Sequence, residues 1–422
     1  MNNFRIIFLA LSRSLDIEIK SDNEIDEIIY DFIMVFAKDI DYENFKVNIE
    51  SLQQNTTDLK NKIDLVIQKY KTSEPKIQQI NSYFKDLKDD EYFFFFPNSE
   101  ISKDQIFQFY NFLSANEKNE DYETLTNQID DSFGALRDKY EMFAFDENTR
   151  NKIGETDKSK RICRFCNRGS EEVKFKKVAH SISEALGNKK IITNDECDSC
   201  NEKFGIGIEN DLILYLNLYR NVFGIRGKSG VPKLKGKNFE MENNGTIEIK
   251  QYLTDEEVND SERDDFKVKL ETSQELTAQN IYRTLSKYAL SVIDKTLIEH
   301  FGETIKWING DVSFDNLPKV AMLTSYYLFS YHPKLIVYIR KSDDFELPFA
   351  VAEFRFTFLT FAFVIPKSSK DNIDFTNVED YKKYWQFFKH FSSVPNWTFT
   401  KMDDTTARKF TMNLNFKPKQ KK

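Results

Sequence analysis

The sequence has few cysteines, no long apolar run and no overall excess of basic residues. Its 422 residues include only four cysteines, which is not the pattern of a secreted disulfide scaffold. The apolar runs Ile6 to Leu11 and Phe354 to Ile365 are too short to cross a membrane, and the first lacks the small-residue cleavage site of a signal peptide. We therefore expect a soluble cytoplasmic protein without membrane partners, whose reduced thiols are free to bind metal.

The overall charge argues against a nucleic-acid-binding protein, but it hides a local reversal. The net charge is −8, whereas nucleic-acid-binding domains are usually basic. Residues 1–151 carry a net charge of −13 and residues 152–237 carry +7, while the remainder carries −2. All four cysteines and nine of the 13 glycines lie in the basic part. We predict three domains, over residues 1–150, 151–240 and 241–422.

The two outer segments suggest accessory domains without a catalytic constellation. In the first, Ser21 to Glu24 has the form of a capping box before a helix, and a second helix is expected from about Ser102. The run Phe93 to Phe96 predicts a buried strand or core plug, with an exposed docking patch as the alternative. The last segment predicts a long helix, then an antiparallel sheet, over residues 273–301, 335–340 and 349–365.

The middle segment contains two Cys-x-x-Cys pairs. These are Cys163 with Cys166 and Cys197 with Cys200. Two intervening residues allow both thiolates of a pair to face one tetrahedral Zn²⁺, and two such pairs complete a four-sulfur structural site. A thioredoxin-like redox pair is the alternative, although it needs only one such pair.

The stretch between and after the cysteine pairs predicts two short strands and a helix. Residues 172–180 predict a basic strand that ends at His180, the only histidine of this segment. Residues 191–193 predict a return strand, and a helix is expected from Asp198 onward, bent by Gly205 and Gly207.

These motifs as a set resemble the HNH endonuclease family of ββα-metal nucleases, in its zinc-bearing branch. The resemblance covers about residues 160–237 and includes both cysteine pairs. The other matching motifs are Ala179-His180-Ser181-Ile182, Leu186-Gly187-Asn188, Asn201 directly after the second pair, and the trailing Ile225-Arg226-Gly227-Lys228. We expect an α+β multidomain protein with a helical N-terminal domain, a central zinc-braced ββα-metal domain and a C-terminal α+β domain with an antiparallel sheet.

The resemblance implies a metal-dependent endonuclease that hydrolyses phosphodiester bonds in DNA. His180 would be the general base, and Asn201 would be a ligand of a catalytic Mg²⁺ or Mn²⁺. Asn188 or Asn194 would orient the imidazole of His180. Bacterial proteins built around such a domain often act in restriction or anti-phage defence, so the resemblance implies that role as well.

The sequence departs from the family pattern at Ala179. Many members have an acid before the base and use it on the metal, and alanine has no ligand atom. Either another acid substitutes, or His180 itself approaches the metal, or the site is inactive. The acids considered are Glu184, Asp195, Glu196 and Glu209. Glu184 and Glu209 also have ordinary interpretations, as a loop carboxylate and a solvated helix residue.

Basic residues on both sides of the motif favour a polyanionic partner, most simply DNA. Phosphate contacts of this kind position a duplex without reading its sequence. The candidate contacts are Lys174, Lys176, Lys177, Lys189, Lys190, Arg226 and Lys228. A non-catalytic zinc-braced nucleic-acid-binding module and a nuclease that acts on RNA remain alternatives. A companion protein or a second copy is expected to bind through residues 1–150 or 241–422.

Overall fold

The computed structural model describes residues 2–21, 25–41, 46–97, 99–148, 150–252 and 266–416. Most of the predicted capping box at Ser21 to Glu24 and the basic tail from Lys417 lie outside these ranges. The chain divides into two compact units, Met1–Asp131 and Ser132–Lys422. The division into three domains by composition stays a prediction.

The first unit contains both helices and a sheet. The sheet is antiparallel, with the strand order β2-β1-β6-β5, and a separate hairpin pairs β3 with β4. The prediction of a helical N-terminal segment was therefore incomplete. The elements are β1 (Asn2–Ala10), β2 (Ser14–Ser21), α1 (Ile25–Val35), β3 (Ala37–Asp41), β4 (Lys46–Ile49), β5 (Leu52–Gln54), α2 (Thr57–Tyr70), α3 (Gln78–Asp86), β6 (Tyr92–Pro97), α4 (Lys103–Lys118) and the start of α5 (Tyr122–Lys139).

The sheet of the first unit buries apolar side chains on both faces. Phe8, Phe93 and Phe95 pack with residues of α1, α2 and α3 in one cluster, whereas Phe94 packs with Leu113 of α4 in another. The predicted buried strand at Phe93 to Phe96 is confirmed. A strand covered on both faces has no polar alternation, which explains why β1 carried no recognisable strand pattern.

The second unit contains a six-stranded antiparallel sheet in the order β18-β14-β17-β16-β15-β7. No helix in the described ranges is long and apolar enough to cross a membrane. The elements of the second unit after α5 are β7 (Tyr140–Phe145), β8 (Asn151–Ile153), β9 (Ile191–Thr193), α6 (Asp198–Ile206), α7 (Ile208–Val222), β10 (Leu234–Lys235), β11 (Phe239–Asn243), β12 (Ile247–Gln251), β13 (Phe266–Thr277), α8 (Ala278–Val292), α9 (Lys295–Ile298), α10 (Gly302–Asn309), β14 (Val320–Thr324), β15 (Ser330–Arg340), β16 (Ala350–Thr357), β17 (Leu359–Val364), α11 (Val378–Phe387), α12 (Lys389–Ser392), β18 (Thr398–Thr400) and β19 (Ala407–Phe416).

The predicted C-terminal strands are confirmed, and the predicted long helix is shorter than expected. The strand residues at 335–340 and 349–365 belong to β15, β16 and β17. The helix predicted over residues 273–301 is helical as α8 only from Ala278 to Val292, because its first residues belong to β13. After Ile293, which is extended, the side chain of Asp294 accepts from the Thr296 amide and begins the separate helix α9.

Helix α8 packs between the sheet and the cysteine-bearing segment. Leu285, Tyr288 and Ala289 of α8 lie in one apolar cluster with sheet residues and with residues of the 160–225 region. That cluster includes Cys163 and Leu212. The cysteine-bearing segment and the C-terminal sheet therefore share a hydrophobic core.

Candidate functional site

The four cysteines lie together. Their sulfur atoms are all within 4.8 Å of one another, and the Cys166 and Cys197 sulfurs are 3.8 Å apart. Four sulfurs at about 2.3 Å from a Zn²⁺ stand about 3.8 Å apart in a tetrahedron, so the cluster can hold a metal such as zinc. Within the described ranges it is the only group of three or more His, Cys, Asp or Glu ligand atoms placed this closely.

Two local structures direct the sulfurs toward each other. The first pair lies in a tight turn in which the Asn167 amide donates to the Cys163 carbonyl. The second pair begins α6, where Cys197 is the N-cap and its sulfur accepts from the Cys200 amide. A helix N-terminus favours negative charge. A hydrogen bond from the Cys200 thiol lowers the pKa of Cys163 to about 5, with help from backbone amides and against the effect of burial.

A short hairpin carries His180. The Ser181 amide donates to the Ile191 carbonyl and the Thr193 amide donates to the Ala179 carbonyl, so residues 179–181 pair antiparallel with β9. The predicted return strand is confirmed. The predicted strand over residues 172–180 is wrong for most of its length, because only His180 forms a bridge and the preceding residues follow turns and irregular backbone.

The buried side chain of Asn188 holds the loop of this hairpin. Its amide nitrogen donates to the carbonyls of Ile182 and Ile191, at 2.6 and 2.9 Å. Its oxygen accepts from the Lys190 and Ile191 amides. None of these bonds reaches the imidazole of His180, so Asn188 acts here on the backbone that presents the histidine.

The helical region after the second cysteine pair is divided at Gly207. Helix α6 ends at Ile206, and α7 begins at Ile208. A side chain at Gly207 would contact the Lys203 carbonyl, which explains why glycine occupies the break. The break places Asn201 in α6 and Glu209 in the first turn of α7.

His180, Asn201, Glu184 and Glu209 line one cleft of about 480 Å³. Two of the predicted basic residues, Lys177 and Lys228, line it as well. The complete lining is Lys177, Val178, His180, Ser183, Glu184, Asn201, Gly205, Glu209 and Lys228. The cleft therefore combines an imidazole, an amide, two carboxylates and two ammonium groups.

His180 is suited to accept a proton in this cleft. Its side chain is 18% exposed, and its Nε2 lies 3.9 Å from a carboxylate oxygen of Glu184. Burial, the largest influence, lowers the pKa of His180, which favours the neutral imidazole that a general base requires. Its Nδ1 is buried and has no hydrogen-bond partner among the described residues. The predicted orienting partner of the imidazole is thus not found at Asn188 or Asn194 in this structure.

The four candidate acids fall into two groups. Glu184 and Glu209 line the cleft. Asp195 and Glu196 are fully buried and paired with other side chains, Asp195 with Arg164 at 2.9 Å and Glu196 with Lys287 at 3.0 Å. Burial raises the pKa of Glu196 to about 7. The position of Ala179 is buried, and only Glu184 and Glu209 of the four acids can reach an ion in the cleft.

The remaining predicted basic residues do not line the cleft. Lys174, Lys176, Lys189 and Arg226 are exposed, and Lys190 is partly buried. Lys177, at the cleft, forms an exposed ion pair with Glu202 at 2.9 Å. Exposed cationic groups are free to meet a polyanion, and such contacts carry little sequence specificity.

Sequence reasoning missed Lys287. This lysine of α8 is fully buried, and its Nζ lies 2.9 Å from Glu209 and 3.0 Å from Glu196. A signal was present, because α8 is rich in apolar and small residues and contains only two charged ones, Arg283 and Lys287. A helix with so few charged residues can be buried on more than its apolar face, and a buried lysine requires an acidic partner. The partner itself is not readable from sequence.

The comparisons with known proteins leave the family open. No family model matches the chain, and no curated protein or solved structure matches it either.

Proposed function

We propose that this protein is a metal-dependent endonuclease that hydrolyses phosphodiester bonds in DNA. The observation that carries the proposal is the cleft in which His180, Asn201, Glu184 and Glu209 meet Lys177 and Lys228, one side of it formed by the helix that begins at the cysteine cluster. An imidazole beside ammonium groups and oxygen ligands for a metal ion is a combination suited to metal-dependent hydrolysis of phosphodiesters. The resemblance of the motifs to HNH endonucleases supports the same chemistry.

Each residue of the cleft has its own role in the proposed reaction. Neutral His180 takes the proton from the attacking water. Lys177 and Lys228 hold the phosphate backbone by charge. Asn201, Glu184 and Glu209 offer the hard oxygen ligands that Mg²⁺ and Mn²⁺ prefer. Such an ion, when bound, would stabilise the negative charge that develops on the phosphate and on the leaving oxygen.

We assign the four cysteines to a structural zinc. Cys163, Cys166, Cys197 and Cys200 offer a complete set of sulfur ligands, which leaves no open position for chemistry. The expected role of this ion is to fix the start of α6, and with it the position of Asn201. Roles in restriction or anti-phage defence, and a location in the cytoplasm, stay predictions from sequence.

A non-catalytic nucleic-acid-binding module is the second candidate. Two observations favour it: Ala179 has no ligand atom, and the ligand atoms of His180, Glu184 and Glu209 do not converge as closely as those of the cysteines. This candidate keeps the zinc and the phosphate contacts and loses only the reaction.

One assay separates the candidates. Plasmid DNA and a labelled RNA are incubated with the full chain and Mg²⁺ or Mn²⁺, with EDTA, and with the variant His180→Ala. Exposed His332 provides the matched control, His332→Ala. We expect cleavage of DNA that requires the metal and His180 and survives the control substitution. Binding without cleavage under any wild-type condition would overturn the enzyme, and cleavage of RNA alone would replace the substrate.

A further inference from the structure

Lys287 connects the cleft to a part of the chain outside the resemblance. It belongs to α8, whereas the residues that resemble HNH endonucleases end at about residue 237. Its Nζ contacts Glu209, which lines the cleft, and Glu196, which precedes the cysteine Cys197. The lysine and Glu196 are both 0% exposed at the side chain, and Glu209 is 8% exposed.

Stability alone does not account for such a group of charges. Removing a lysine and two carboxylates from water is costly, and their attraction in the interior often does no more than offset that cost. Apolar residues of similar size would fill the same space at least as well. The rings of Phe165 and Phe204 lie 5.9 and 5.7 Å from the ammonium, so apolar side chains border the group of charges.

Helix α8 is fixed against the cysteine-bearing segment by further polar contacts. Arg164, inside the first cysteine pair, donates to the Leu290 and Ile293 carbonyls at 2.7 and 3.2 Å. At the other end of α8, the side-chain amide of Asn280 donates to the carboxylate of Asp211 at 2.8 Å. Because these contacts hold both ends of α8, the ammonium of Lys287 is presented to Glu209 from a rigid support.

We propose that Lys287 is a positioning residue of the cleft, which holds the carboxylate of Glu209 where it can bind the catalytic Mg²⁺ or Mn²⁺. Helix α8 thereby contributes a part of the site that lies outside residues 151–240. The inference rests on the proposed function. Removal of a side chain that holds a metal ligand in place typically weakens metal affinity by about 10- to 100-fold.

The test measures Mn²⁺ binding by electron paramagnetic resonance of the free ion, on the full chain with its zinc in place. In Lys287→Met the Mn²⁺ affinity should fall about 10- to 100-fold. Zinc content should not change, and neither should DNA binding without added Mn²⁺. A general loss of structure would reduce both. Lys306→Met is the matched control, because Lys306 lies in the exposed ion pair with Glu303 on α10.

A second variant covers the case in which Lys287→Met does not fold. Lys287→Met combined with Glu196→Gln removes the repulsion between two buried carboxylates but leaves Glu209 without its ammonium. This double variant should fold and still bind Mn²⁺ weakly. Mn²⁺ affinity equal to that of the wild type, in either variant with zinc retained, would overturn the inference.

The outcomes also separate this inference from the proposed function. A wild type that binds Mn²⁺ but cleaves neither DNA nor RNA overturns the nuclease proposal. The role of Lys287 is still supported in that case if Lys287→Met binds Mn²⁺ more weakly than the wild type does. A wild type that cleaves, with an unchanged Mn²⁺ dependence in Lys287→Met, overturns the role of Lys287 alone. A wild type that neither binds Mn²⁺ nor cleaves overturns both.

Discussion

Breaking the buried ion pair between Arg164 and Asp195 should strongly destabilise the second unit, because it leaves one buried charge without its partner. Arg164 lies inside the first cysteine pair, and Asp195 directly precedes Glu196. Their side chains are 0% and 1% exposed, and the guanidinium lies 2.9 Å from the carboxylate. The perturbation is Arg164→Met, which keeps much of the side-chain volume and removes the charge.

The structure sets the magnitude of the loss. Without Arg164, the buried carboxylate of Asp195 retains a 3.1 Å hydrogen bond from the Glu155 amide but has lost its counter-charge. Breaking a buried pair in this way costs about 3–5 kcal/mol. The carbonyls of Leu290 and Ile293 lose their donor as well, which moves the expectation toward the upper end of that range.

Tryptophan fluorescence during urea unfolding measures this loss. All three tryptophans of the chain, Trp307, Trp385 and Trp397, lie in the unit Ser132–Lys422, so the signal reports on that unit. The matched control is Arg408→Met, which breaks the exposed pair with Asp404 and should cost less than about 1 kcal/mol.

A double-mutant cycle completes the test. Because Asp195→Asn removes the other charge of the same pair, Arg164→Met with Asp195→Asn should cost at least about 1 kcal/mol less than the two single losses together. A loss below about 1 kcal/mol for Arg164→Met, or losses that simply add in the double variant, would refute the reasoning.

Three further predictions test other parts of the fold. Cys197→Ser should reduce the bound metal from about one zinc per chain to well below one, measured by elemental analysis. A wild type that contains no zinc after purification under reducing conditions would contradict the assignment of zinc to the four cysteines. Asn188→Ala should cost about 2–4 kcal/mol by tryptophan fluorescence, because the Ile182 carbonyl and the Ile191 amide lose the partner that this side chain provides. The Ile191 carbonyl and the Lys190 amide keep their bonds with the Ser181 amide and Glu147. A loss below about 0.5 kcal/mol would show that the loop does not depend on this side chain. Phe8→Ala should cost the first unit about 3–5 kcal/mol, measured by hydrogen exchange of peptides from Met1–Asp131, and unchanged exchange would contradict the packing of this fully buried ring.

Features that depend on neighbours in sequence were predictable. The spacing within each cysteine pair places two sulfurs on one turn, and two such turns predicted the four-cysteine cluster. Gly205 and Gly207 were expected to bend the helix after Cys200. The helix is divided at Gly207, whereas Gly205 lies within α6. The C-terminal strands were recognisable because aromatic and β-branched residues are concentrated in them.

Features that depend on distant partners were not predictable. Glu209 was interpreted as a solvated helix residue or a ligand, and the structure buries it beside Lys287, which lies 78 positions later in the chain. Likewise, β1 pairs with β6 across more than 80 residues, so the sheet of the first unit could not be inferred from either strand alone. Local patterns predict which element a residue belongs to and seldom which charge it meets.

Metal-dependent plasmid cleavage by the wild type and by His180→Ala tests the central claim most directly, with the zinc content of both proteins measured in parallel. We predict that the wild type cleaves the plasmid with Mg²⁺ or Mn²⁺ and not with EDTA. His180→Ala should retain its zinc and its binding to DNA and lose cleavage by at least about 100-fold, the contribution typical of a general base. Cleavage by His180→Ala at the wild-type rate would contradict the assignment of this cleft as the active site.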